Sequence, residues 1–206
     1  MELPDNDIYK TIETPAEASI RERSSKFLAY AYPVTDAEQA REYLDALRKE
    51  YYDATHHCYA YRIGPQGEEY RANDDGEPSG TAGKPILGQM MSREVTDCLI
   101  VVVRYFGGTK LGVTGLIGAY REAAAMVLEE STIIEKTVDT IFRAGFPYIN
   151  MNDVMKVVKE EQPRIISQDF DNLCVITMAI RRGRAGVLEK KLRNIEGVEL
   201  ELRQGV

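Results

Sequence analysis

With 206 residues, 44% hydrophobic and 29% charged, the chain can bury one large core or two small ones, and its composition argues against disorder. A net charge of −7 argues against a protein coated in nucleic acid and leaves room only for a local basic groove. The charge is uneven: residues 1–136 hold 15 basic and 23 acidic residues, residues 137–206 hold 11 and 10.

In chain order, residues 8–13 and 17–23 mix apolar and charged residues in short alternation. They predict two antiparallel strands joined by a turn at Thr14-Pro15. Residues 27–34 predict a third strand, with Phe27, Ala29 and Ala31 on one face, Leu28, Tyr30 and Tyr32 on the other, and Pro33 as its limit. Thr35 or Asp36 is placed to cap a helix over 36–50, with Glu38 near the third position of a capping box. Ala40, Tyr43, Leu44 and Leu47 form its apolar face. Residues 57–63 and 69–72 predict a hairpin around Gly64-Pro65-Gln66-Gly67.

Residues 74–80 fit no regular element. Thr81 is placed to cap a helix reaching about Arg93, with Pro85 in its first turn and Leu87, Met90 and Met91 facing inward. Residues 97–105 predict a strand whose unbroken Leu-Ile-Val-Val-Val core implies burial on both faces. A glycine loop follows, then a helix from Thr114 to about Glu130 with Leu116, Ala119, Tyr120, Ala123, Ala124, Val127 and Leu128 as its stripe.

Residues 131–136 read as a boundary, giving domains 1–134 and 135–206. The second domain reads β-α-β-β-α-β: strands 137–146, 164–170, 173–181 and 198–203, with helices 150–161 and 184–194. Asp171-Asn172 is its short turn and Gly197 a helix exit. Cys58, Cys98 and Cys174 are far apart and form no C-x-x-C pair, the usage of a reducing cytosol. The opening MELPDNDIYK has no signal-peptide pattern, and no apolar run approaches the roughly 20 residues of a membrane span. A soluble, cytoplasmic protein is expected; oligomeric state is left open.

Residues 74–120 organise the chain and hold more than half of its 16 glycines. Such density implies positive φ angles or close backbone approach. Four motifs, THHCYAYRIG, DDGEPSGTAGKPIL, VVVRYFGGTKLG and GLIGAY, stand in the order and spacing of the IMPACT family, which this chain resembles, its bacterial YigZ-like members above all. The resemblance implies an α+β, two-domain protein. Its N-terminal domain would be like the second domain of ribosomal protein S5. Its C-terminal domain would be ferredoxin-like, similar to domains III and V of elongation factor G. It further implies a role in regulation of translation: eukaryotic members bind the activator of a translation-controlling kinase, and bacterial members are proposed to bind nucleic acid. Two positions depart from the family pattern, Thr114 in place of a glycine and Gly118 in place of a basic residue.

Four constellations bear on chemistry. The loop and helix start over 107–115 offer backbone N–H groups to an anion, with Arg104 and Lys110 adding charge. The stretch matches neither G-x-x-x-x-G-K-[ST] nor G-x-G-x-x-G, and a tight strand-to-helix connection is the competing reading. In His56-His57-Cys58, strand alternation puts His56 and Cys58 on one side, at a spacing that matches no standard metal pattern. Asp74-Asp75-Gly76-Glu77 suits Mg²⁺ or base chemistry, and equally Asx turns or helix-start charge. Arg181-Arg182-Gly183-Arg184 with Lys190, Lys191 and Arg193 makes a basic patch for RNA, diluted by Glu189, Glu196, Glu199 and Glu201. Phe142, Phe146 and Phe170 lie on strands, without an RNA-reading signature.

The candidate binding site therefore comprises His57, Cys58, Asp75, Glu77, Thr81, Lys84, Arg104, Gly107, Gly108, Lys110, Gly112 and Tyr120. Arg181, Arg182, Arg184 and Lys190 form a secondary patch. No catalytic residue, metal or cofactor is assigned. The expected function is a non-enzymatic regulator or adaptor that binds RNA, the ribosome or a translation-associated protein. The competing reading is an enzyme acting on a phosphorylated or nucleotide small molecule between residues 74–83 and 104–115.

Overall fold

The computed structural model describes residues 7–170 and 173–203. The chain divides into two compact units: Tyr9–Lys136, and the residues from Thr137 onward together with Asp7 and Ile8.

The elements of the first part are β1 (Ile8–Ile12), β2 (Ala16–Glu22), β3 (Ser25–Pro33), α1 (Ala37–Glu50), β4 (His56–Ile63), β5 (Glu69–Asn73), α2 (Gly83–Ser92), β6 (Cys98–Tyr105), α3 (Gly112–Glu130) and β7 (Ile133–Thr137). Five of the strands form an antiparallel sheet in the order β2-β3-β6-β4-β5. The apolar β6 is the central strand, so both of its faces are covered. Cys98, Ile100 and Val102 join a core with Ile86, Met90, Tyr120 and Val127 of α2 and α3. Leu99, Val101 and Val103 join a separate core with Leu44 and Leu47 of α1. The alternation of Phe27, Ala29 and Ala31 against Leu28, Tyr30 and Tyr32 splits β3 between the same two cores.

Several local expectations change. β1 does not pair with β2; it pairs with β7, while β2 pairs with β3. The β2–β3 hairpin turns on Arg23 and Ser24, both at positive φ (42° and 72°). Asp36 caps α1 by accepting from the Gln39 backbone N–H at 2.8 Å. The reciprocal partner is Gln39, whose Oε1 accepts from Thr35 N–H, not Glu38. Tyr43 is partly exposed and stacks on Tyr32 at 4.2 Å. Met91 points to solvent, and Ile86 with Met90 forms the inner face of α2. Helix α3 starts at Gly112, two residues before Thr114, and its predicted stripe is buried throughout. Residues 133–137, which overlap the boundary stretch 131–136, form β7.

The second unit contains β8 (Asp139–Pro147), a 3-10 turn (Tyr148–Asn150), α4 (Met151–Glu161), β9 (Arg164–Phe170), β10 (Leu173–Arg181), α5 (Arg182–Arg193) and β11 (Glu199–Arg203). Its antiparallel sheet has the order β11-β8-β10-β9. Val154, Val158, Leu188 and Leu192 of the helices pack on Phe142, Phe146, Ile176 and Met178. Phe142 and Phe146 are thus core residues and offer no surface for base stacking; only Phe170 of the three is exposed. α4 ends on Gln162 in the left-handed region, and Gly197 (φ +84°) leads from α5 towards β11. The Asp171-Asn172 turn lies outside the described residues.

Candidate binding site

The pairing of β3, β6 and β4 sets Phe27, Arg104 and His56 opposite one another in one row. Arg104 stands in the middle of that row, near the end of β6, and donates from Nη1 to Glu77 Oε1 at 2.6 Å. Tyr120 of α3 donates its hydroxyl to the same oxygen at 2.8 Å. His56 Nε2 stands 3.8 Å from it. The Cys58 thiol donates to the Asp74 carbonyl at 3.0 Å and lies 3.3 Å from the Tyr120 hydroxyl. Arg104 Nη2 also donates to Ser25 Oγ at 3.4 Å, and that oxygen accepts from Gly107 N–H at 3.2 Å. The guanidinium lies over the rings of Phe27 and Phe106, at 5.4 and 5.6 Å.

This network is buried: the Arg104 and Glu77 side chains are 6% and 4% exposed. Its Arg104 Nε is buried without a partner. Removal from water pushes the Cys58 thiol well above its ordinary range, and the Glu77, Asp75 and Asp74 carboxylates push further, against the hydrogen bond with Tyr120. The Tyr120 phenol is raised for the same first cause. Both groups stay protonated at neutral pH, so Cys58 is not poised as a nucleophile.

Glu77 is held by the irregular loop that precedes α2. Asp74 organises that loop: its Oδ2 accepts from Gly80 N–H and its Oδ1 from Ala82 and Gly83 N–H, at 2.8 to 3.0 Å. Asp74, not Thr81, therefore satisfies the start of α2; the Thr81 hydroxyl donates back to the Pro78 carbonyl. Burial raises the Asp74 carboxyl, but the three amide donors and Lys84 outweigh it and hold the group below its ordinary value. Asp75 takes a positive φ of 43°, accepts from His57 N–H and gives its own carbonyl to His56 Nδ1 at 2.8 Å.

Apart from Asp75 and Thr81, which lie in the loop before α2, the predicted residues separate into three sets. Cys58, Glu77, Arg104 and Tyr120 share the inner network, with Gly107 attached through Ser25. His57 faces the α1 side of the sheet, with Nε2 buried and unpartnered, and burial lowers its pKa. Lys84, Gly108, Lys110 and Gly112 are exposed. Gly107 is required by close approach, since a Cβ there would meet Ser24 backbone at 2.1 Å. Gly108 and Gly112 take φ of +85° and +72°. The first turn of α3 has neither a side-chain cap nor an acidic residue.

Ser25, His56 and Asp74 belong to the network but not to the predicted set. Strand alternation already put His56 on the side of Cys58; Ser25 carried no signal, because its contact with Arg104 spans 79 positions.

The secondary patch is divided by its own ion pairs. Arg181 is bidentate to Asp7 at 2.6 and 2.7 Å, and Arg184 donates to Glu161 at 3.1 Å. Lys191 and Arg193 are held by Glu160, Glu161 and Glu189. Arg182 and Lys190 are the members of the predicted patch outside these pairs. Among the described residues, no group of three or more His, Cys, Asp or Glu side chains is arranged to hold a metal ion, and no helix is long and apolar enough to cross a membrane.

Fold and site define a mixed α/β protein built on several antiparallel sheets, with a buried carboxylate–guanidinium network beneath a glycine loop. The profile of the Impact N-terminal domain matches residues 23–128. The chain is 36% identical over 154 residues to IMPACT family member YvyE of Bacillus subtilis, covering 75% of this chain and 71% of that protein. It is 30% identical over 182 residues to IMPACT family member YigZ of Escherichia coli, covering 87% and 89%. The chain belongs to the IMPACT family. Protein IMPACT of Oryctolagus cuniculus is 38% identical over 98 residues, which is 45% of this chain and 30% of that protein. A crystal structure of a hypothetical protein superposes with a TM-score of 0.73 at 28% identity, covering 98% of each chain.

Proposed function

We propose that this protein is a non-enzymatic, translation-associated binding protein that engages RNA phosphate, foremost on the ribosome, through residues 106–112 and the start of α3. Family membership supports the connection to translation. The element order and the β11-β8-β10-β9 sheet support a ferredoxin-like second domain, and we read the first as S5 domain 2-like. In this reading the domains are 1–134 and 135–206, and the protein works in the cytoplasm.

One observation carries the binding reading. The first turn of the 19-residue α3 is exposed and uncapped, and follows an exposed loop bearing Lys110. Free N–H groups and the positive helix end favour a phosphate there. Arg104 supports the loop from below without contributing free charge, because Glu77 neutralises it. Thr114 is exposed, and a side chain at Gly118 would meet nothing within 4 Å, so neither family departure obstructs this surface. Protonated Cys58 and Tyr120 and the paired Glu77 favour binding over catalysis.

The test is cosedimentation with ribosomes and titration with single-stranded RNA at several salt concentrations. Lys110→Glu is expected to weaken binding about tenfold or more, an effect that fades as salt rises. Absence of salt-sensitive binding to either target, together with no translation factor among captured partners, would overturn the proposal.

A further inference from the structure

A cavity of about 410 Å³ opens on the other face of the first unit, between α1 and the β4–β5 hairpin. Arg41 and Arg48 line it from α1 and Arg71 from β5, with Tyr59 and Tyr61 of β4 below them. Arg41 and Arg48 are seven positions apart, two helical turns, so both project to the hairpin side. Arg48 is tied to Asp45 at 3.6 Å and to Asp75 at 3.4 Å. Among the described residues, no carboxylate pairs with Arg41 or Arg71.

Arg48 already has carboxylate partners, but Arg41 and Arg71 face the same concavity with none among the described residues, so their mutual repulsion is relieved when an anion joins them. Asp45 is the single acidic residue of the lining. Guanidinium forks match phosphate oxygens in bidentate geometry, and the volume lies in the range of small-molecule sites. The surroundings select against a long polyanion: α1 also carries Glu38, Glu42 and Glu50, and β5 carries Glu69.

We propose that this groove is a binding site for a compact, phosphate-bearing small molecule, held by Arg41, Arg71 and Arg48. The site lies outside the RNA-binding surface proposed above and does not depend on it. Binding there draws Arg48 from Asp75, whose backbone carbonyl and carboxylate hold His56 and the His57 amide. The groove is therefore linked to the loop that carries Glu77.

The test is titration of the isotope-labelled full chain with inorganic pyrophosphate at low ionic strength, followed by amide chemical shifts. One saturable site is expected, with the largest shifts over residues 41–48 and 69–75. Arg41→Gln and Arg71→Gln should each weaken binding about tenfold, and Arg193→Gln on the second unit should change nothing. These substitutions are at exposed positions, so folding is retained and checked in the same spectra. No saturable shift, shifts centred on residues 107–112, wild-type affinity in both arginine variants, or occupation by RNA but not by pyrophosphate would each overturn the proposal.

Discussion

Glu77–Arg104 and Asp7–Arg181 are both carboxylate–guanidinium pairs with a closest approach of 2.6 Å, one in each unit. In the first, both side chains are at most 6% exposed; in the second, Arg181 is 45% exposed. The buried pair cannot fall back on water when one partner is lost; Tyr120 and Ser25 add hydrogen bonds to it, while Arg104 Nε has no partner. In the second pair Asp7 is buried but Arg181 is not, so the guanidinium can fall back on water when Asp7 is lost. The difference also bears on function. In the first unit the cation is neutralised inside, and the surface beside it is left to glycine backbone and Lys110.

Removing a partner should expose this contrast. Glu77→Ala leaves Arg104 buried without a counter-charge and is expected to cost about 3–5 kcal/mol, read by urea denaturation. Asp74→Ala removes the acceptor of three amide hydrogen bonds at the start of α2 and should cost about 2 kcal/mol. Asp7→Asn should cost about 1.5 kcal/mol, because Arg181 returns to water. Arg193→Ala breaks an exposed pair with Glu189 and should cost less than about 0.5 kcal/mol. A cost for Asp7→Asn equal to that for Glu77→Ala would contradict the ordering.

Acid sharpens the same comparison. The Arg181 hydrogen bond holds the Asp7 carboxyl at about 2, below the ordinary 3.8, although burial opposes it. A depressed carboxyl contributes stability that is full above the unfolded value and is lost as pH falls through the folded one. The contribution of Asp7 should therefore fade between pH 3.8 and about 2. The Asp7→Asn protein should show a shallower loss of stability over that window in urea titrations at stepped pH.

Much of this architecture was legible because it rests on local patterns. The unbroken β6 core, the α3 stripe and the β-α-β-β-α-β order all follow from periodicity. What escaped depends on distant partners. The partner of β1 is β7, more than 100 residues away, and the alternation within 8–13 carries no address. The Arg23-Ser24 hairpin lacks the glycine or asparagine that usually marks positive φ. In the site, glycine density marked the loop, and the four core members of the network were among the predicted residues. Alternation along β4 sets His56 on the side of Cys58, and the pairing of His56 with Arg104 and of His57 with Val103 keeps the two histidines on opposite faces. The basic run at 181–193 read as one patch because nothing local announces Asp7, which lies 174 positions before Arg181.

The central claim is that the charge available for RNA lies on the outer loop, not in the buried network. The direct measurement is the slope of log affinity for single-stranded RNA against log salt, compared between wild type and Lys110→Glu. A slope shallower by about 0.7 is expected in the variant, one phosphate contact fewer. An unchanged slope, or no salt-dependent binding by the wild-type protein, would contradict it.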